Sequence, residues 1–251
     1  SPYSVTSNAV AIRGAPVTAP GITSVVAGNG TASVTFTAPA TTGGSPISRY
    51  VATATASGSP SIPARTCTWT TGALNCVISE LVNGRTYNVK VVAINSFGNS
   101  PESSGSNVTP RTVSSAPDSL TATAGNASVR LSWTAPVNNG GVAITGYRIE
   151  SSTASSGSWS TVVADTSSIA TSETVTSLVN GTTYKFRVSA INAAGVSVAS
   201  SEVNALPIGA PATPAAPTAG VGSGQIFLSW SAPANNGAPI TDYEIQYATS
   251  S

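Results

Sequence analysis

The chain has few residues that could carry catalytic or metal-binding chemistry. It contains no histidine, nine carboxylates and two cysteines among 251 residues. Without histidine a Ser-His-Asp triad cannot be assembled, and a cysteine nucleophile lacks its usual base. Two cysteines alone are too few for a zinc site. The composition predicts a non-enzymatic protein with no cofactor, no catalytic residues and no metal ligands.

Two carboxylates and two glycine pairs are candidate sites. Asp165 and Glu173 could approach each other as a glycosidase-like acid pair, but two solvated surface acids are the simpler interpretation. The Gly-Gly pairs at 43–44 and 140–141 lack a following helix and a Lys-Ser/Thr pair. They are therefore interpreted as turns, not as phosphate-binding loops.

The two cysteines lie close together in the chain. Cys67 and Cys76 flank a short segment with Gly72 at its turn, between two strand-like stretches. Their even number and proximity favour a disulfide, with two free thiols as the alternative. A disulfide would indicate an oxidising, extracytoplasmic setting.

Two tryptophans lie outside the apolar alternation of the strands. Trp69 or Trp159 could stack on a sugar ring or anchor an interface if its indole is exposed. The alternative is a large side chain that covers the edge of a core.

The elements that must position these residues recur along the chain. LVNGRTYNVKVVAIN at 81–95 returns as LVNGTTYKFRVSAIN at 178–192. After the Asn-Gly turn, apolar residues alternate with a period of two, which predicts a strand with one buried face. Leu81 with Tyr87, and Leu178 with Tyr184, are expected to pack at a corner where a backbone group bonds the tyrosine hydroxyl.

A second element occurs three times, at 34–50, 131–147 and 228–243. Each copy is a strand that ends at Ala-Pro, a glycine-rich loop and a strand that opens near a tyrosine. The registers predict four segments: residues 1–14 as the last strand of a preceding truncated module, 15–110 and 111–207 as complete modules, and 208–251 as the first three strands of another. We expect this last segment to be completed by chain outside this sequence or by a neighbour.

These motifs together resemble fibronectin type III modules, especially those of repetitive bacterial surface and secreted proteins. The residues that carry the resemblance in the second module include Trp133, Pro136, Tyr147, Asn180-Gly181 and Tyr184. Phe36 replaces the usual tryptophan in the first module, and no Arg-Gly-Asp tripeptide is present. The resemblance implies an all-β fold of tandem immunoglobulin-like β-sandwiches in an elongated array, and an extracellular or cell-surface location.

Alternation within the second module predicts its core. The inward-facing residues are expected to be Val129, Leu131, Trp133, Tyr147, Ile149, Val175, Leu178, Tyr184, Phe186 and Val188.

Charge and hydropathy limit the partners. The net charge is +1, without a Lys/Arg cluster and without an apolar run of membrane-spanning length, so neither nucleic acid nor a membrane span is expected in this segment. The expected function is a structural array such as a stalk, fibre or surface filament, which self-associates or contacts neighbouring modules of the same longer chain. The alternatives are a module that binds a surface glycan or protein, and a spacer in a secreted polysaccharide-degrading enzyme or a phage tail protein.

Overall fold

The computed structural model describes residues 12–58 and 60–248, and all regular secondary structure in them is β-strand. The fold divides into two compact units. The first comprises the residues up to Val113 with Gly140–Ala143, and the second comprises Ser114–Asn139 with the residues from Ile144 onwards.

The first module is a sandwich of two antiparallel sheets. One sheet has the order β1-β2-β5, and the other has the order β4-β3-β6-β7 with β8 also paired to β6. In β2 the residues Ala32, Val34 and Phe36 are buried while Ser33 and Thr35 face solvent. The strands are β1 Gly21–Gly28, β2 Thr31–Thr37, β3 Arg49–Ala56, β4 Arg65–Trp69, β5 Asn75–Ile78, β6 Tyr87–Asn95, β7 Gly98–Asn99 and β8 Ser106–Val108.

The second module repeats this topology. Its sheets have the orders β13-β10-β9 and β12-β11-β14-β15, with β16 paired to β14. The strands are β9 Asp118–Gly125, β10 Ser128–Thr134, β11 Ile144–Thr153, β12 Ser160–Val163, β13 Ser172–Val175, β14 Tyr184–Asn192, β15 Gly195–Val196 and β16 Val203–Ala205.

The predicted core of the second module is buried with one exception. Tyr184 is only partly buried, whereas its counterpart Tyr87 in the first module is fully buried. The other nine predicted residues are at most 9% exposed. The period-two pattern therefore identified the inward face of the strands. It did not reveal that the tyrosine corner of the second module is more exposed to solvent than that of the first.

The last strand of each module is split in two, as β7 and β8 in the first and as β15 and β16 in the second. Between β7 and β8, Pro101 has no N–H to donate to a ladder. The hydroxyls of Ser100 and Ser103 accept bonds from the N–H groups of Ala93 and Val91, at 3.0 and 2.9 Å. Ser197 and Ser200 make the equivalent bonds in the second module. Serine hydroxyls thus accept the backbone N–H groups of β6 and β14 at positions where the neighbouring strand is interrupted.

The structure describes the segments at the two ends of the sequence, 1–14 and 208–251, only in part. Of the strand predicted at 1–14, residues 1–11 lie outside the described residues, and residues 12–14 have no regular secondary structure. In the last segment, β17 (Thr218–Gly222) pairs with β18 (Gln225–Ser229). The stretch around Tyr243 is not in a strand. In the second module β11 is held between β12 and β14, and the described residues after 229 provide no such neighbours.

Candidate functional site

The disulfide joins the two sheets of the first module. Cys67 on β4 and Cys76 on β5 are bonded, with their Cα atoms 6.0 Å apart. Cys67 lies opposite Ala52 in one sheet, and Cys76 lies opposite Val34 in the other. The bond therefore fastens the two layers across the edge of the core.

The corner tyrosines accept backbone hydrogen bonds. The hydroxyl of Tyr87 accepts from the N–H of Val82 at 3.0 Å, and that of Tyr184 accepts from the N–H of Val179 at 3.1 Å. Leu81 and Leu178, one residue earlier, are buried, and their N–H groups bond to the Gly30 and Ala127 carbonyls. Each corner ties the start of β6 or β14 to the preceding turn.

A charged cluster that the sequence did not reveal lies on the β11–β14 sheet of the second module. Glu150 is 8% exposed. Its two carboxylate oxygens accept from Arg148 and from the Nε of Arg187, each at 2.9 Å. The register pairs Glu150 directly with Arg187 across the strands. The guanidinium of Arg187 in turn lies 4.2 Å from the centre of the Trp159 ring.

The electrostatics of this cluster favour the ionised carboxylate. Burial raises the pKa of Glu150, but the hydrogen bonds and positive charges of Arg187 and Arg148 lower it more, so its pKa is below the ordinary value. Period-two alternation gave no signal for this site, because Glu150 occupies an outward position and is covered only by the side chains of its neighbours.

Trp69 and Trp159 each contact other side chains of their own module. Trp69 packs edge-on against Tyr50, with ring centres 5.2 Å apart, and its indole N–H donates to the Ala73 carbonyl at 2.7 Å. Trp159 is half-buried beneath Arg187.

The carboxylates of Asp165 and Glu173 each accept a hydrogen bond from a nearby backbone N–H. Asp165 accepts from the backbone N–H of Ser167 at 2.8 Å, and Glu173 accepts from the N–H of Thr174 at 3.0 Å. Both carboxylates stabilise local backbone conformation. Among residues 12–58 and 60–248 there is no group of three or more His, Cys, Asp and Glu side chains arranged to hold a metal ion.

An asparagine pair at one end of each module was also missed. The side-chain N–H of Asn83 donates to the side-chain oxygen of Asn29, and Asn180 donates in the same way to Asn126, each at 2.8 Å. The oxygens of Asn83 and Asn180 accept from the N–H groups of Gly30 and Ala127. The recurrence of Asn-Gly in both copies was the available signal.

Exposed apolar side chains include Phe97 in the first module and an aromatic pair in the last segment. Phe97 is 54% exposed at the two-residue turn between β6 and β7, where the side chain of Asn95 accepts its N–H. In the last segment, Trp230 and Tyr243 are each 36% exposed and line a groove of about 290 Å³. No helix among the described residues has the length and apolar character needed to cross a membrane.

Two animal proteins are among the curated relatives of this chain. Chicken myosin-binding protein H is 42% identical over 69 residues, which cover 28% of this chain and 12% of the relative. Human "cell adhesion molecule-related/down-regulated by oncogenes" is 35% identical over 150 residues, which cover 54% of this chain and 11% of the relative. The chain thus spans about a tenth of the length of either protein. Both are animal proteins, so they give no support to the bacterial origin expected from the sequence.

Two solved structures match parts of this chain. The chicken CNTN1 FN1-FN3 domains are 20% identical with a TM-score of 0.43, and the match covers 78% of this chain and 69% of that one. Titin kinase and its flanking domains are 31% identical with a TM-score of 0.36, and the match covers 38% and 17%.

The family model for the "Fibronectin type III domain" matches residues 16–109 and 115–205. These two ranges make up most of the chain, and each spans one of the two sandwiches. The chain therefore belongs to the fibronectin type III family.

Proposed function

We propose that this chain is a non-enzymatic, extracellular or cell-surface structural array, in which repeated modules set a distance and present other parts. The observation that carries the proposal is that the ionisable groups with defined geometry serve the fold. Glu150 is bound by two arginines, while Asp165 and Glu173 bond to local backbone. The disulfide supports an oxidising compartment.

The domain assignment belongs to the same proposal. Residues 15–110 and 111–207 are the repeating units, and 208–251 are the first strands of another unit. The apolar face of residues 208–248 supports this, because Trp230 and Tyr243 are 36% exposed whereas their counterparts Trp133 and Tyr147 are 6% and 1% exposed.

Small-angle X-ray scattering tests the array. A compact sphere of 251 residues would have a radius of gyration of about 18 Å. We expect a clearly larger value, because the proline-rich joints at 110–117 and 207–217 favour extended conformations. A radius of gyration near that of the sphere would refute an extended array.

A second candidate is a binding module for a protein or a surface glycan. Exposed Phe97 favours it, because a large apolar side chain on a tight turn is a typical interface anchor. The human relative's name refers to a cell adhesion molecule, although the chain spans only 11% of that protein. A role as a spacer in a secreted polysaccharide-degrading enzyme or a phage tail protein also remains a proposal.

Glycan arrays and binding assays with the intact chain test the second candidate. Phe97→Ala should abolish binding, whereas Val82→Ala, which truncates another exposed apolar residue at 51% exposure, should leave it unchanged. Equal binding by the two variants would rule out Phe97 as the anchor.

A further inference from the structure

The end of the second module at which the chain leaves it carries a hydrogen-bonded pair of turns. This exit end consists of the turn residues 125–127 and 179–181. The Asn126–Asn180 side-chain bond links its two turns, and the Asn180 oxygen accepts from the Ala127 N–H at 2.8 Å. Gly181 is left-handed, with φ +79°, so its turn presents backbone rather than a side chain.

The backbone of the linker that follows the second module, residues 207–210, is hydrogen-bonded to this exit end. The Gly181 N–H donates to the Pro207 carbonyl at 2.9 Å, and the Ile208 N–H donates to the Gly125 carbonyl at 3.2 Å. A Cβ at Gly209 would collide with the side-chain amides of Asn180 and Asn126. The linker therefore passes so close to the amide pair that a side chain at position 209 would require this pair to shift.

The same linker is also hydrogen-bonded to the loop around residues 235–237 of the next segment, which follows β18 and is called the opening loop below. The Gly209 N–H donates to the Asn236 carbonyl at 3.0 Å, and the Asn236 side chain donates to the Ala210 carbonyl at 2.6 Å. Asn236 and Gly237 are both left-handed, with φ +50° and +87°. A Cβ at Gly237 would lie 3.0 Å from both the Gly181 nitrogen and the Pro207 oxygen.

The first module carries both halves of this arrangement. At its exit end, Gly84 donates to the Pro110 carbonyl at 2.8 Å and Arg111 donates to the Gly28 carbonyl at 3.1 Å. At its opening loop, Gly43 accepts from the Gly14 N–H at 2.8 Å. Gly43 is followed by a second left-handed residue, Gly44. The pattern is thus a property of the module and not of one linker.

From these contacts we propose that the exit end of each module is a docking surface for the opening loop of another module of the same kind. Its specificity comes from two consecutive left-handed residues, the second a glycine, which let the two backbones meet. Backbone hydrogen bonds hold the linker to the exit end on one side and to the opening loop on the other. These bonds restrict the linker more than its proline content alone would. This inference rests on the proposed array and deepens it by naming the partner surface.

Amide hydrogen exchange in the intact chain tests the proposal. In the unaltered protein, the amides of Gly181, Ile208 and Gly209 should be protected. Gly237→Ala should accelerate their exchange by about tenfold or more, because the new Cβ separates the two backbones. Gly224→Ala is the matched control, since Gly224 is also left-handed, with φ +68°, but has open space around it.

Every outcome of the exchange experiment either supports or overturns the proposed docking surface. Free exchange of the three amides in the unaltered chain, or equal exchange in the two variants, would overturn the docking surface whether or not Gly237→Ala perturbs its own segment. The array proposal would survive that result as an array with loose joints, because scattering tests it independently. Unchanged protection of Val188 and Phe186 would show that the second module stays folded throughout.

Discussion

The two complete modules have the same core and different reinforcement. In the first, a disulfide between Cys67 and Cys76 fastens one sheet to the other. The β-ladder register places Val163 and Glu173 at the equivalent positions of the second module, opposite Ile149 and Leu131, so no covalent bond is available there. The second module instead has the Arg148–Glu150–Arg187 network, which ties β11 to β14 within one sheet. The shared pattern of buried residues specifies the fold, and the reinforcement differs between copies.

The largest expected difference concerns the disulfide. Replacing Cys67 and Cys76 together by serine should lower the free energy of unfolding of the first module by about 2.5 kcal/mol, because the unfolded chain regains the freedom of a closed loop of about ten residues. Calorimetry should show one transition moving down while that of the second module stays in place. Equal shifts of both transitions would mean that the modules do not unfold independently.

The tyrosine corners should differ in the same direction as their burial. Tyr87→Phe leaves the Val82 N–H without its partner in a fully buried corner and should cost about 2 kcal/mol. Tyr184→Phe should cost about 1 kcal/mol, because water can reach the half-buried corner of the second module. Chemical denaturation of the two single variants measures both values. A larger loss at Tyr184 would contradict the burial argument.

The ion network should matter more than an exposed ion pair. Glu150→Gln removes the charge that two arginines share and should destabilise the second module by about 1.5 kcal/mol. Glu102→Gln is the matched control in the first module, where the Lys90–Glu102 pair is 2.7 Å long but 45% and 61% exposed. That variant should change stability by less than about 0.5 kcal/mol. Similar losses in the two variants would show that the burial of Glu150 does not matter.

The network also predicts a pH dependence. Because the pKa of Glu150 is lower in the folded state, its stabilisation is fully present above the ordinary carboxyl pKa of about 4.3 and is lost as the pH falls through the lowered value. The melting temperature of the second module should therefore fall in acid, and Glu150→Gln should reduce that fall. A slope unchanged by the substitution would remove Glu150 from the explanation.

The smallest expected effect is at the core aromatic position, where the modules differ as Phe36 and Trp133. The Trp133 indole nitrogen is buried without a hydrogen-bond partner. Trp133→Phe should change stability by less than about 1 kcal/mol, because removing an unsatisfied donor offsets the volume lost. A loss above about 2 kcal/mol would show that the indole packing outweighs its unpaired N–H.

Much of the fold could be predicted from local pattern. Nine of the ten core residues that alternation predicts for the second module are buried, because a strand with one buried face must repeat every two residues. The family model matches 16–109 and 115–205, in agreement with the repeat. The ion network and the serine bonds at 100, 103, 197 and 200 could not be predicted in this way. They depend on which side chains two strands bring opposite each other.

The aromatic pair shows what the sequence alone determined. Rings in the three copies meet at nearly the same separation: Phe36–Tyr50 at 5.0 Å, Trp133–Tyr147 at 4.9 Å and Trp230–Tyr243 at 5.4 Å. The last pair forms although Tyr243 is in no strand. The repeated residue types and spacing therefore suffice for the contact.

Burial was decided by tertiary structure. The first two pairs are at most 6% exposed, whereas Trp230 and Tyr243 are each 36% exposed. In the second module β13 pairs with the strand that carries Trp133, and β14 pairs with the strand that carries Tyr147. The described part of the last segment has no such strands. An apolar ring favours burial because of its residue type. It is removed from water only when strands from distant parts of the chain assemble around it.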